Sequence, residues 1–113
     1  MPYRYHLTDH FKQQVKKHSK KFRGIKQDVR DSLIEFDKNR AESIGASMYK
    51  VRVKSRDIPK GKSHAFRMIV LVYEFKTFIA PVAIYFKGDK ENMDKEELFY
   101  HLAVVRKELR NLL

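Results

Sequence analysis

The chain has 113 residues, the size of one domain with a single modest hydrophobic core. It contains no cysteine, which excludes a disulfide framework and a thiolate metal site. Its 25 Lys and Arg against 14 Asp and Glu leave a formal charge of +11. Such an excess favours a polyanionic partner, nucleic acid or an acidic protein, with a merely solvated basic surface as the plain alternative.

An apolar content of 42%, with 12% aromatics, argues for a folded globule. The longest apolar run, Met68 to Tyr73, is too short to span a bilayer. The N-terminal MPYRYHLTDHF lacks the continuous hydrophobic region of a signal peptide, so a cytoplasmic, reduced location is expected. The five histidines show no tight metal-ligand spacing. Residues 1–113 read as one domain without repeat, linker or low-complexity tract.

In chain order, Tyr3, Tyr5 and Leu7 alternate with Arg4 and His6 and predict a short first strand. Thr8 is placed to cap a helix, with Asp9 favourable at its positive end. Phe11, Val15, His18 and Phe22 then share one helical face, and Lys12, Lys16, Lys17, Lys20 and Lys21 occupy the other. Gly24 is a natural terminator. A second helix starts near Ile25, with Ile25, Val29, Leu33 and Phe36 on one face, and the two form an antiparallel hairpin over a sheet. NRAESIGAS, residues 39–47, reads as a loop.

From Met48 the period switches to two: Tyr49, Val51 and Val53 point one way, Lys50, Arg52 and Lys54 the other. A basic loop, Ser55 to His64, leads into an apolar strand from Ala65 to about Tyr73. Glu74 to Thr77 predict a hairpin turn, and Phe78 to Lys87 return as the last strand. Pro81 lacks an N–H for the ladder, which implies an edge or a bulge. Asp94 and Glu97 form a capping box for a last helix striped by Leu98, Leu102, Val105, Leu109 and Leu112. The order is β-α-α-β-β-β-α, a small α+β domain with a curved, mainly antiparallel four-stranded sheet.

Seven basic residues crowd into positions 50–67: Lys50, Arg52, Lys54, Arg56, Lys60, Lys62 and Arg67, with only Asp57 opposing them. Lys50 and Arg52 share a face, as do Tyr85 and Lys87 on the last strand. A solvated outer face accounts for Lys54 and Arg56. It accounts poorly for Arg67 and Tyr85, which interrupt apolar strands. Cations converging beside a tyrosine suit phosphodiester chemistry better than acyl transfer. RNA cleavage by a 2′-hydroxyl needs the extra charge on phosphorus stabilised and a proton moved, and crowded cations depress one another's pKa values, which can leave one lysine partly neutral and able to act as the base. His64, in the loop between Lys62 and Arg67, is a candidate base or phosphate ligand, or an ordinary exposed histidine. His6, His10, His18 and His101 are read as structural or surface residues.

The segments YKVRV at 49–53, GKSHAFRMIVLVY at 61–73 and IYFKGDKENMDKEEL at 84–98 resemble the RelE/HigB-like toxins of bacterial type II toxin–antitoxin pairs, within the RelE/ParE superfamily. The resemblance covers most of the domain and is strongest from Tyr49 to Leu98. It implies a metal-independent mRNA endoribonuclease acting on ribosome-bound mRNA, without a cofactor and held inactive by a cognate antitoxin. Carried over by motif, Lys50 and Arg52 match the basic positions of the Y-K-x-K/R strand, and Arg67 matches the arginine that binds the scissile phosphate. Tyr85 and Lys87 match the I-Y-x-K positions, where the family places phosphate-binding or general-acid groups. Lys60 and Lys62 match the basic loop, an RNA-backbone contact together with Lys54 and Arg56. Many relatives carry two glycines before the arginine where this chain has His64-Ala65, which opens a catalytic or phosphate-binding part for His64. The same resemblance leaves three alternatives: a ParE-like gyrase inhibitor, a non-catalytic RNA-binding module, and a toxin that has lost activity.

Overall fold

The Thr8 hydroxyl accepts a hydrogen bond from the Phe11 amide at 3.2 Å and starts the first helix as the sequence predicts. A computed structural model describes residues 3–62, the last by its backbone alone, and 64–112. The elements are β1 (Arg4–Tyr5), α1 (Asp9–Ser19), α2 (Ile25–Ile34), β2 (Glu42–Gly45), β3 (Met48–Val53), β4 (Phe66–Tyr73), β5 (Phe78–Phe86) and α3 (Lys95–Leu112). They build an α+β domain around one open sheet in the order β1-β5-β4-β3-β2. Only β1 with β5 is parallel.

The sheet has five strands rather than the expected four, because residues 42–45 of the supposed loop pair with β3. The hairpin turns through Ala46 and Ser47 with φ of 54° and 62°, after Gly45 at 90°. Two consecutive left-handed residues are the geometry that Asn-Gly normally supplies, so Ala-Ser gave no turn signal. Gly24 also differs from expectation: it precedes α2 rather than ending α1, which stops at Ser19.

The two faces of the sheet carry different cores. On one side the α1–α2 hairpin buries Phe11, Val15, Ile25, Val29 and Leu33 against Val53, Phe66, Met68, Val70 and Ile79. On the other, Leu102, Val105 and Leu109 of α3 cover Ile69, Leu71, Phe78 and Ala80. Leu112, the last residue of the predicted stripe, is exposed. Among the described residues no helix is long and apolar enough to cross a membrane.

Strand β5 meets its proline by bulging: Ile69 pairs with Ala83 and Val70 with Pro81, leaving Val82 as the extra residue. Since β1 covers only Phe78 and Ile79, the backbone further along needs another partner. Gln14 of α1 provides it. Its side-chain amide donates to the Val82 carbonyl at 3.0 Å and accepts from the Ile84 amide at 3.1 Å. One side chain thus stands in for a strand and locks α1 to the sheet.

The third helix is tied to the first at both ends of their contact. Its own start is capped by Asp94 as expected, with the Glu97 amide donating to Asp94 Oδ1 at 2.8 Å, while the Glu97 carboxylate takes Lys90 in place of the reciprocal bond of a capping box. Further on, the Glu108 carboxylate accepts from the Asp9 and His10 amides at 2.9 and 3.0 Å, neutralising the positive end of α1. His10 Nε2 and His101 Nδ1 meet at 2.7 Å beside them. Replacing Glu108 with alanine removes a two-point charged cap and is expected to cost about 1–2 kcal/mol, read as a lowered urea midpoint at unchanged m-value.

Burial lowers the pKa of His18 and of His101, and the neighbouring His10 lowers His101 further against the opposing pull of Glu97. Both imidazoles therefore bind protons more weakly folded than unfolded. Stability is full above the unfolded value of about 6.5, declines as pH falls through it, and levels off below the depressed folded values. A series of urea midpoints from pH 7.5 to about 5 should show this decline, and a His18→Leu/His101→Gln double variant should flatten it.

Candidate nucleic-acid interface

Alternation in β3, β4 and β5 sorts the basic residues onto the face opposite the hairpin. Val51 and Val53 pack toward α1 and α2, so Lys50 and Arg52 point the other way. On β4, Phe66, Met68 and Val70 pack with the hairpin, which leaves Arg67 beside Ile69 and Leu71 on the α3 face. The cross-strand register then sets the site. Arg52 is opposite Arg67, and Arg67 is opposite Tyr85, a continuous row over three strands. One step along, Lys50 faces Ile69, and Ile69 faces Ala83. Past the end of β5 the ladder continues as the Lys87 amide donates to the Ala65 carbonyl at 2.7 Å.

Helix α3 borders the row at Tyr85, which shares cavities with Glu97, His101, Leu98 and Phe99, and leaves the arginine end open. The uncovered part of the face is a cleft of roughly 660 Å³ lined by Lys50, Arg52, Arg67, Tyr85 and Lys87. Five of the six residues expected to act in chemistry thus share one cavity. Arg67 is oriented by its own loop: its Nη1 donates to the carbonyls of His64 and, at 3.1 Å, of Phe66. That fixes the guanidinium before any ligand arrives and leaves its remaining N–H groups to serve one. Lys50 Nζ donates across the cleft to Asn92 Oδ1 at 3.2 Å. Tyr85 is 2% exposed, and among the described residues its hydroxyl has no hydrogen-bond partner. Leaving such a group unsatisfied costs about 1–3 kcal/mol.

The back of the row is apolar and stiff. Phe66 meets the rings of His18, Phe22 and Phe86 with centroids 5.0–5.2 Å apart. A side chain at Gly88 would run into the Phe86 ring, its Cβ 2.3 Å from the nearest ring carbon, so only glycine lets the chain turn there.

The remaining predicted residues lie elsewhere. His64 lends Arg67 its backbone carbonyl, and its side chain is exposed rather than lining the cleft. Lys54 and Lys60 are exposed in and around the basic loop. The side chain of Lys62 lies outside the described residues. Arg56 departs from its expected RNA contact. Its Nε donates to Asp28 Oδ1 at 2.8 Å and its Nη2 to Asp31 Oδ2 at 3.3 Å. Its amide also bonds the nearly buried Asp28, and these bonds, the Asp28 one foremost, raise its pKa. With Asp57 accepting from the Gly24 amide at 2.8 Å, this stretch clasps the start of α2. The local charge count missed it because both carboxylates are remote in sequence.

Reasoning from the sequence also passed over the rim. Glu35, Asp37, Arg40, Glu42, Glu91 and Asn92 line the same cleft, brought there by the segment from the end of α2 into β2 and by the loop before α3. Nothing in their spacing marks them, since they converge only in the folded chain. Among the described residues no three His, Asp or Glu side chains are grouped to hold a metal ion.

No family model and no curated protein matches the chain in sequence. The solved structures do supply a match: a mutant of the E. coli toxin RelE in the free state, at TM-score 0.55 with both chains covered over their full length. The fold is RelE-like. The sequence identity is 11%, so the likeness is one of architecture.

The two arginines that lead out of and into the basic loop should separate by experiment. Arg56→Ala is expected to lower the urea midpoint while leaving the affinity for a short RNA unchanged. Arg67→Ala should do the reverse, weakening RNA binding several-fold and flattening its salt dependence by about one phosphate contact.

Proposed function

We propose that the protein is the toxin of a type II toxin–antitoxin pair, an endoribonuclease that cleaves ribosome-bound mRNA and so arrests translation. The observation that carries this reading is the row Arg52–Arg67–Tyr85, with Lys50 and Lys87 beside it, in one cleft. The RelE-like fold supports the same class.

In this reading the scissile phosphate sits on Arg67 and Arg52. The substrate's 2′-hydroxyl attacks its own phosphorus, the bond to the 5′-oxygen of the next nucleotide breaks, and a cyclic phosphate and a free 5′-hydroxyl result. Charge on the non-bridging oxygens rises along the way, and the preoriented Arg67 guanidinium meets it without rearranging. Lys50 and Lys87 flank the row, and with Tyr85 they form the set from which the proton donor and acceptor come. The exposed Lys54 and Lys60 extend a positive surface along which the RNA backbone would run. The partner that silences such a surface would be an acidic antitoxin segment, steered in by the +11 charge.

Induced expression of the wild-type chain should arrest growth and leave truncated transcripts within minutes. Arg67→Ala should lose at least ~100-fold of the cleavage rate, the scale on which a single charge-stabilising group acts, with an unchanged thermal midpoint. Full toxicity in that variant, or DNA damage in place of cut transcripts, would overturn the assignment, the latter in favour of gyrase inhibition.

A further inference from the structure

Helices α1 and α3 meet through two imidazoles. His10 Nε2 and His101 Nδ1 lie 2.7 Å apart, with the ring centroids at 5.0 Å. A bond between two ring nitrogens needs an N–H on one and a lone pair on the other. It survives with both rings neutral or with one charged. With both charged, two N–H groups face each other across the seam and the bond is gone. The groups around the pair suit one charge and leave a second unmatched. Glu97 Oε2 lies 3.7 Å from His101 Nε2, but the same carboxylate already holds Lys90 Nζ on Oε1 at 2.7 Å. Glu108, the other carboxylate at the seam, is bonded to the Asp9 and His10 amides. In the small cavity beside His101, α1 places Lys17 and His18, β5 places Tyr85, and the loop before α3 places Asp89. Asp89 acts on His18, and Tyr100 meets His10 through its ring alone. The His101 side chain is 14% exposed, so water screens a second charge poorly.

We infer that the His10–His101 pair is a proton-operated latch: uptake of a second proton parts α1 from α3 and frees the third helix from the sheet. The latch works in the same way whether or not the chain cleaves RNA. What it holds shut is the α3 side of the sheet. The helix covers Leu71, Phe78 and Ala80 and borders the cationic row at Tyr85, so its release bares apolar strand surface and opens the cleft from the side. The sign follows from proton counting. Burial, foremost, and the neighbouring His10 hold the His101 pKa below its ordinary value. With α3 docked the pair therefore binds fewer protons than with α3 free. Docking is complete above the ordinary imidazole value of about 6.5 and weakens as pH falls below it.

Native-state hydrogen exchange on the full chain, from about pH 7.5 down to about pH 5, tests this. Protection of the Leu102, Val105 and Leu109 amides should fall up to about tenfold per pH unit below about 6.5, one proton being taken up at each opening. Protection of the β4 amides, in the middle of the sheet, should fall less. The side-chain amide in His10→Gln can donate to or accept from His101 in either charge state, so this variant should keep α3 protected across the range. Parallel loss from α3 and β4 would make the effect one of global stability and overturn the latch. An α3 slope unchanged in His10→Gln would overturn it as well. Nitrogen-15 shifts of the imidazoles in the wild-type chain give a check that needs no variant. The two rings should charge in separate steps, the second together with the loss of α3 protection; a single step at the ordinary value for both would overturn the inference.

Discussion

The position of α3 governs everything on the functional face. Its Leu102, Val105 and Leu109 need apolar partners, and they find them on β4 and β5 around Leu71 and Ala80. The Glu108 carboxylate, bonded to two amides at the start of α1, fixes the helix in that place and no further along the sheet. One face of the sheet is therefore divided into a covered half and an open half. The other face is roofed by the helical hairpin. A cleft at this position is the necessary result of a sheet with two faces and a roof and a half to cover them.

Charge follows the same division. Within β4 the residues on the α3 face pass from Leu71 and Ile69, which the helix covers or borders, to Arg67, which it does not. Strand β5 changes at the same level, from Ala83 to Tyr85, and β3 one step earlier, from Met48 opposite Leu71 to Lys50 opposite Ile69. Placing Arg52 directly opposite Arg67 is unfavourable for the isolated fold, since like charges across strands repel. Carbonyl groups around Arg67, the Asn92 amide on Lys50 and carboxylates along the rim offset part of that repulsion. What remains is a site whose electrostatic energy improves when an anion enters it, the behaviour expected of a surface kept for binding rather than for stability.

Much of this was legible in the residues alone, and the limits have physical causes. Helix starts and most buried faces came through because Thr8 and the Asp94–Glu97 pair are strong local signals and the apolar spacing from Ile25 is regular. The sharing of one face by Lys50, Arg52, Tyr85 and Lys87 followed from a period of two; the meeting of Arg52 with Arg67 and Tyr85 required a register that no local pattern states. Strand β2 escaped because its turn uses Ala46 and Ser47 in a conformation associated with glycine and asparagine. Arg56 looked like one more cation of a basic loop, since its partners Asp28 and Asp31 lie on another element. In each case the lost information was long-range pairing, which single-chain periodicity does not carry.

A row of charges is useful only if it stays where it is, and the reverse side of the sheet provides for that. Directly behind Arg67 its strand neighbour Phe66 is wholly buried, wedged among Phe22, Phe86 and the half-buried His18. Interlocked rings leave a strand little freedom to slide or twist, because any shift would open voids on several sides. Gln14 adds a second constraint by bonding β5 on either side of Ala83, just before Tyr85. The Arg67 guanidinium is held in turn by carbonyls of its own loop. Rigidity is thus supplied from behind and from the side, while the cleft itself stays open to whatever binds. That arrangement spends the packing energy of the hairpin core on the placement of a few cations, and it gives Phe22, Phe66 and Phe86 their place behind the charges.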